Sequence, residues 1–290
     1  MSIKVCVITP ISHLQVFGSL GEMDMSLSHL ILEDPKGPYT DYYKRQRQNG
    51  RFVILDNSAF ELEQQGKGLD PDPVLDAAEI TNPSEVIATD CLFDGPATIE
   101  STTRFIKRMR ERGVLHKYQV MGVVQGHTKD EWLTCLNRLM DMDEINTIGL
   151  SKLAVPISFL GDKESSGCVA RARVECVETI AECYGWELND PFTTLCSKEF
   201  HLLGGDNWTP WEIAQQVRYP WIRSNDSSAA VWYGRYHKVF NVEGKIQDII
   251  LDKPDLENKD GDTADALETV GVQADILENI VRWHMAAKGE

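Results

Sequence analysis

A short strand-like run built around apolar residues recurs seven times in this chain, and each recurrence is separated from the next by a stretch long enough for a helix. The runs are Lys4–Thr9 (KVCVIT), Arg51–Asp56 (RFVILD), Glu85–Thr89 (EVIAT), Tyr118–Val124 (YQVMGVV), Asn146–Leu150, Phe200–Leu203 and the run that ends at Asn225-Asp226. Strands exposed on one face alternate apolar with polar residues, whereas continuous apolar runs belong to strands covered on both faces. Strands of that kind alternating with helices predict an α/β fold with a parallel sheet, and seven or eight such units predict a (β/α)8 barrel. The eighth strand has no evident run of its own: Met25–Leu32 reads as weakly helical. Val239–Leu251 (VFNVEGKIQDIIL) reads as a β-hairpin turning at Glu243-Gly244-Lys245 that closes or decorates the barrel. The expected helices include Thr40–Asn49, Asp70–Ile80, Thr98–Arg112, Lys129–Met140, Glu164–Tyr184, Trp211–Val217 and a terminal helix over Ala264–Ala287. The chain of 290 residues is long enough for one barrel domain over residues 1–251, followed by an acidic linker and C-terminal helix over 252–290.

Charge bears on the choice of partner. A formal net charge of −16 opposes unselective binding to nucleic acid, whose phosphates require a positive surface. Local basic clusters remain at Lys44-Arg45-Arg47-Arg51, along Arg104–Lys117, and at Arg235-His237-Lys238, the last close in sequence to Trp232, Tyr233 and Tyr236. Aromatic rings beside cations suit a single-stranded nucleic acid, whose bases stack while its phosphates pair. Seven scattered cysteines without a Cys-x-x-Cys pair read as free thiols of a reducing compartment. The histidines are equally dispersed, so no metal or cofactor site is expected. The first residues lack the pattern of a signal peptide, and no apolar run reaches the ~18 residues of a membrane span, so no membrane partner is expected.

The strand ends carry the candidate chemistry, because loops that leave the carboxyl ends of parallel strands are where such folds place functional groups. Gathered from the sequence, they are Asp56, Asp90, Gln125, Gly149-Leu150 with Ser151 and Lys152, Gly204-Gly205 and Asp226. Carboxylates accept from the N1–H and N2–H2 groups of a guanine, and a carboxamide or a backbone N–H donates to its O6. A third carboxylate is then left for chemistry, and attack on a sugar C1′ to give a covalent glycosyl-enzyme is one use for it. Asp226 is the candidate nucleophile and Asp206, which also follows a strand, its competitor. Lys152 at a strand end also fits the Schiff-base lysine of an aldolase, a reading that leaves Asp56, Gln125 and Asp226 without a joint purpose.

Five motifs in register carry a resemblance. Asp56-Asn57-Ser58-Ala59-Phe60 resembles the D-S-G-G-F of tRNA-guanine transglycosylases, and Val123-Val124-Gln125-Gly126 their I-V-Q-G. Ile148-Gly149-Leu150-Ser151 resembles their G-L-A or G-L-S, and His201-Leu202-Leu203-Gly204 with Thr209-Pro210 their H-Y-L-M-G followed by T-P. Asp226 falls where their nucleophilic aspartate stands, and Asp90 where their guanine-recognising aspartate ends a strand. The short length, the LDNSAFEL stretch and the NDSSA loop are most similar to the phage members of the DNA-modifying branch, the DpdA-type transglycosylases.

The resemblance implies a TIM-type barrel that replaces guanine in DNA with a 7-deazaguanine in the cytoplasm of the host cell. Asp226 and Asp56 would be catalytic. Asp90, Gln125, Gly149, Leu150, Ser151, Lys152, Gly204 and Gly205 would bind the base, and Trp232, Tyr233, Arg235 and Lys238 the nucleic acid. Lys152 stands near where bacterial tRNA enzymes place a glutamate serving an aminomethyl base, which favours a neutral nitrile base such as 7-cyano-7-deazaguanine. The tRNA enzymes also carry a zinc module that helps them dimerise; this chain has no comparable cysteine pattern, so neither zinc nor that dimer is implied. A tRNA or free-nucleotide substrate, and a catalytically silent nucleic-acid-binding subunit, remain as alternatives.

Overall fold

The computed structural model describes residues 2–59, 70–160, 167–186, 198–246 and 269–290. In chain order these form β1 (Lys4–Val7), β2 (Asp24–Leu27), α1 (Ser28–Glu33), α2 (Pro38–Gln48), β3 (Val53–Asp56), α3 (Pro71–Thr81), β4 (Glu85–Ile87), α4 (Gly95–Glu111) and β5 (Gln119–Val124). They continue with α5 (Lys129–Met140), β6 (Thr147–Ser151), α6 (Cys168–Tyr184), β7 (Glu199–Leu203), α7 (Thr209–Gln216), β8 (Ile222–Ser227), α8 (Ala229–Arg235) and α9 (Val270–Lys288). The eight strands form one sheet in the order β1-β8-β7-β6-β5-β4-β3-β2. With α-helices between successive strands from β2 onward, and two 3-10 turns at Ile11–His13 and Gly18–Leu20 between β1 and β2, this is the (β/α)8 arrangement of a TIM-type barrel.

The chain divides into two compact units. The one comprising Asp24–Phe159 and Ser197–His201 holds β2 to β6 and the start of β7. Its strands pair in parallel with a continuous register, Ser26 opposite Leu55, Leu55 opposite Val86, Val86 opposite Val120 and Met121 opposite Thr147. Val53, Ile54, Leu55, Leu75, Phe105, Met121, Leu136 and Ile148 are fully buried there. Each such side chain contributes about 1.5–3 kcal/mol relative to exposure. Local signals set the helix starts: Asp70 accepts from Asp72 N, Asp94 from Ala97 N and Thr128 from Glu131 N, each capping an otherwise unpaired amide. Glu131 also accepts from Gly95 N and His127 N, tying the start of α4 to that of α5.

The eighth strand is β2, and it corrects the helical reading of Met25–Leu32. Only Ser28–Glu33 is helical. Asp24–Leu27 lacks an apolar run because its first residue is a buried carboxylate held by Arg51, 2.5 Å away and 27 residues downstream. Burial pushes the Asp24 carboxyl above its ordinary value, and Arg51 pulls the other way.

The second unit comprises Met1–Met23, Leu160–Cys196 and Leu202–Glu290. In it β1 pairs with β8, placing Cys6 opposite Asp226. Ile3, Phe17, Ile213, Phe240, Ile276 and Trp283 form its core. The terminal helix α9 is part of this unit: Ile3 N donates to Ala287 O, and the buried Asn279 side chain donates to Ala230 O and Lys238 O while accepting from Phe240 N. At Gly234 of α8 a Cβ would come within 2.5 Å of Ile276 Cγ1, so the two helices meet at a residue without a side chain.

The hairpin expected at Val239–Leu251 is not formed over its described part. Val239–Ile246 has no strand; instead the Asn241 carboxamide accepts from Glu243 N and Lys245 N, closing a turn through Gly244 at φ +76°. Val242, apolar and expected inside a strand, is exposed at the turn, and Gly244 O accepts from Trp211 N at the start of α7. A side-chain acceptor at Asn241 satisfies the amides that a partner strand would have taken. The rest of that segment, the acidic linker over Asp252–Asp265 and the first residues of the expected terminal helix lie outside the described residues, as do Phe60, Glu61 and Thr193–Cys196.

Candidate functional site

In the unit containing β2 to β6, the strand ends build one polar cluster. Asp90, three residues beyond β4, is 3% exposed. One of its oxygens accepts from Asn57 Nδ2 at 2.8 Å and the other from Gln125 Nε2 at 2.6 Å. The Gln125 carboxamide is fixed at its other end, where Oε1 accepts from Phe93 N at 3.0 Å. Asn57 also donates to Ala88 O and accepts from Ala59 N, joining the end of β3 to the end of β4. Asp56, at the last position of β3, accepts from Ser58 N at 2.7 Å. Ser58 sits at φ +59°, a left-handed conformation that costs a non-glycine residue roughly 1–3 kcal/mol. Its buried hydroxyl is anchored by His29 Nδ1 at 2.8 Å and Ser28 Oγ at 3.1 Å. Gly149 and Leu150 are buried within β6, and Ser151 and Lys152 are half-buried at its end. Such a cluster holds a buried carboxylate and a buried carboxamide in fixed orientation.

In the other unit, Asp226 on β8 is 4% exposed. Its Oδ1 accepts from Gly204 N at 2.9 Å, just past β7, where Gly204 takes φ +75°. Gly205 has no room for a side chain: a Cβ would lie 2.3 Å from Thr209 Oγ1 and 2.6 Å from Ser227 Oγ. Asn225, also buried, donates to Leu202 O and Gly204 O. Asp206 serves the turn into α7: its carboxylate accepts from Trp208 N, and its carbonyl accepts from Thr209 N and the Thr209 hydroxyl.

Behind the Gly204-Gly205 loop stands an ion pair that the sequence reading passed over. Arg173 of α6 and Glu212 of α7 are each 1% exposed and meet in a two-pronged contact at 2.5 and 2.9 Å. The same guanidinium donates to Leu203 O at 2.6 Å and Gly204 O at 2.7 Å. Burial alone would pull Arg173 down; the charge and hydrogen bonds of Glu212, with smaller pulls from Asp206 and Asp226, more than offset it and leave it above its ordinary value. The signal for it was present in the sequence: Ala170, Arg173, Val177 and Ile180 share one helical stripe, and an arginine inside an apolar stripe needs a buried partner. Asn57 and His29 were likewise given no role, because their partners lie about 30 residues away in sequence.

Among the expected nucleic-acid contacts, Trp232–Tyr236 is the end of helix α8 and its C-terminal turn. Tyr233 faces inward, and burial pushes its phenol up to about 12. It is Tyr236 that joins Trp232 on the outer side, with the Arg235 guanidinium 5.1 and 5.3 Å from the two ring centres and Lys238 exposed nearby. Five arginines of the other basic clusters are committed elsewhere. Arg108 and Arg112 pair with Asp72, and Arg112 also with Asp76, while Arg110 pairs with Glu144. Arg51 holds Asp24, Arg47 donates to backbone carbonyls, and Tyr42 and Tyr43 are buried. Among the described residues no three His, Cys, Asp or Glu side chains are grouped to hold a metal, and no helix is long and apolar enough to cross a membrane.

No protein-family model matches the chain, and no curated protein matches it. Solved structures similar to it include the citrate lyase beta subunit from Mycobacterium tuberculosis, at 10% identity and a TM-score of 0.43, covering 78% of this chain and 91% of that one. Another is D-psicose 3-epimerase from Clostridium cellulolyticum H10, crystallised with D-tagatose, at 12% identity and a TM-score of 0.41, covering 92% of this chain and 91% of that one.

Proposed function

We propose that the protein is an enzyme, a guanine transglycosylase of the kind that the five motifs resemble, exchanging guanine in DNA for a 7-deazaguanine base such as 7-cyano-7-deazaguanine. The observation that carries this reading is the position of the motif residues. Asp56 ends β3, Asp90 follows β4, Gln125 follows β5, Gly149 to Ser151 end β6, Gly204-Gly205 follow β7 and Asp226 stands near the end of β8. Every motif thus falls where a strand delivers its residues to a loop, in the order of the family's motifs.

In this reading Asp90 accepts from N1–H and N2–H2 of the guanine, and Gln125 donates to O6. An Asp226 oxygen attacks C1′ of the nucleotide; the C1′–O bond forms as the C1′–N9 bond breaks, and the electron pair leaves on the purine. Asp56, as the carboxylic acid, gives the departing guanine its proton. Guanine leaves, the deazaguanine enters, and Asp56, now the carboxylate, takes the proton from its N9 as that nitrogen attacks C1′ and releases Asp226. A base stacked in a duplex cannot reach such a site, so the target guanine is flipped out or unpaired.

The experiment is incubation of the protein with isotope-labelled 7-cyano-7-deazaguanine and, separately, single-stranded DNA, duplex DNA and tRNA, followed by nucleoside mass spectrometry. Label in DNA that disappears with Asp226→Asn supports the reading. Label in tRNA alone would move the substrate to RNA, and no label in any polymer would remove the proposed reaction.

A further inference from the structure

We infer that Arg173 is a positioning residue for Asp226, acting through the single peptide group that joins Leu203 to Gly204. The inference rests on the transglycosylase reading only for its catalytic consequence; the linkage itself is read from the geometry. That peptide has two ends. Its carbonyl, Leu203 O, accepts from Arg173 Nη1 at 2.6 Å, and its amide, Gly204 N, donates to Asp226 Oδ1 at 2.9 Å. A cation at the carbonyl polarises the peptide and strengthens the donation at the amide. The next carbonyl, Gly204 O, accepts from Nη2 of the same guanidinium at 2.7 Å, so the plane on each side of Gly204 is held by one side chain.

The clamp is needed because of what it holds. Gly204 lies at φ +75°, where glycine is at ease but free to leave, since it has no Cβ to restrict the peptide from rotating. Rotation of the 203–204 peptide would turn a carbonyl oxygen toward the Asp226 carboxylate in place of an N–H. Glu212 fixes the guanidinium from the far side through both of its oxygens, and Gln216 Nε2 donates to Glu212 Oε1 at 3.0 Å. The chain of contact therefore runs from α7 through Arg173 to the Leu203–Gly204 peptide and ends on the carboxylate. Lysine cannot replace the arginine, because a single ammonium does not reproduce four donations in one planar fork.

The test uses the full chain. Arg173→Met with Glu212→Leu removes both charges together and keeps most of the buried volume, a replacement that is often neutral for folding, whereas removing one partner strands a buried charge. Arg173→Lys serves as the conservative variant. The first readout needs no substrate: hydrogen exchange at the Gly204 amide, with the amides of Ile222 to Ser224 in β8 as the folding reference. The expected result is exchange at least about tenfold faster at Gly204 in both variants, with the β8 reference unchanged. Wild-type protection at Gly204 in the paired variant would overturn the inference.

The second readout is the rate of covalent adduct formation between Asp226 and a guanine-containing oligodeoxynucleotide. A loss of about 100-fold is expected in the paired variant, without rescue by Arg173→Lys and with KM for the polymer changed less than twofold. A wild-type adduct rate would also overturn it. Faster Gly204 exchange in the variants together with no adduct from the wild-type protein would uphold the clamp and reject the transglycosylase reading.

Discussion

Replacing Asp90 with alanine tests the fold and the proposed base site at once. Asp90 is buried and accepts two hydrogen bonds, from Gln125 Nε2 at 2.6 Å and Asn57 Nδ2 at 2.8 Å. A hydrogen bond to a charged group contributes about 1.5–3 kcal/mol, and an orphaned buried donor costs about 1–3 kcal/mol. The Asn57 amide keeps its second acceptor, Ala88 O at 2.7 Å, so the larger loss falls on Gln125. Removing the carboxylate also relieves the cost of burying a charge, which offsets part of the sum. The net expectation is a destabilisation of about 2 kcal/mol, or a fall in melting temperature of roughly 3 °C for a chain of 290 residues. In the same variant guanine loses an acceptor for its donor edge, and its affinity falls about 5- to 150-fold on the same hydrogen-bond scale. Thermal unfolding followed by circular dichroism and guanine titration by calorimetry read the two effects. A melting temperature unchanged within about 1 °C would refute the energetic reasoning, and unchanged guanine affinity in Asp90→Ala and in Gln125→Ala would put the base elsewhere.

Gly205→Ala forces a methyl group against Thr209 Oγ1 and Ser227 Oγ; a loss of about 1–3 kcal/mol in urea unfolding is expected, with base exchange falling further than stability, and an unperturbed variant would contradict the packing. Burial, against a weaker pull from the Gln125 backbone, raises the Cys135 thiol from 9.0 to about 11, so its contribution to stability is full below pH 9 and is lost as pH rises toward 11. Cys135→Ala should therefore flatten the alkaline fall in stability between those values, and an identical fall would reject the assignment. Trp232→Ala should weaken binding of single-stranded DNA by about 1–3 kcal/mol through lost stacking, while Arg235→Glu with Lys238→Glu should lower affinity and its salt dependence without changing free-base binding. Fluorescence anisotropy across a salt series measures both, and unchanged curves would show that nucleic acid binds another face.

Where two-sided burial left a continuous apolar run, as in Val53–Leu55 or Val120–Val124, the strand was legible from sequence, and so were the polar residues just beyond it. The strand that was missed, Asp24–Leu27, owes its place to Arg51, and no local pattern reveals a partner 27 residues away. The hairpin reading failed for the opposite reason: Val239–Ile246 has strand composition, but Asn241 satisfies the amides locally. For the site, Asp90 and Gln125 could be named from the strand ends, while their mutual bond and the Asn57 bridge could not, since these contacts join residues more than 30 apart in the chain. The basic runs misled in a similar way. Arg108 and Arg112 look like a patch in sequence because the carboxylates that pair with them belong mainly to α3.

The proposed function requires Asp226 to become covalently joined to C1′ of a guanine nucleotide in DNA. Intact-mass spectrometry of the protein quenched during turnover with a guanine-containing single-stranded oligodeoxynucleotide measures this directly. The expected result is an adduct of protein mass plus the oligonucleotide less one guanine, mapping to the peptide that holds Asp226, absent from Asp226→Asn and discharged by added 7-cyano-7-deazaguanine. An adduct that persists in Asp226→Asn, or guanine exchange into DNA by that variant at the wild-type rate, would contradict the account.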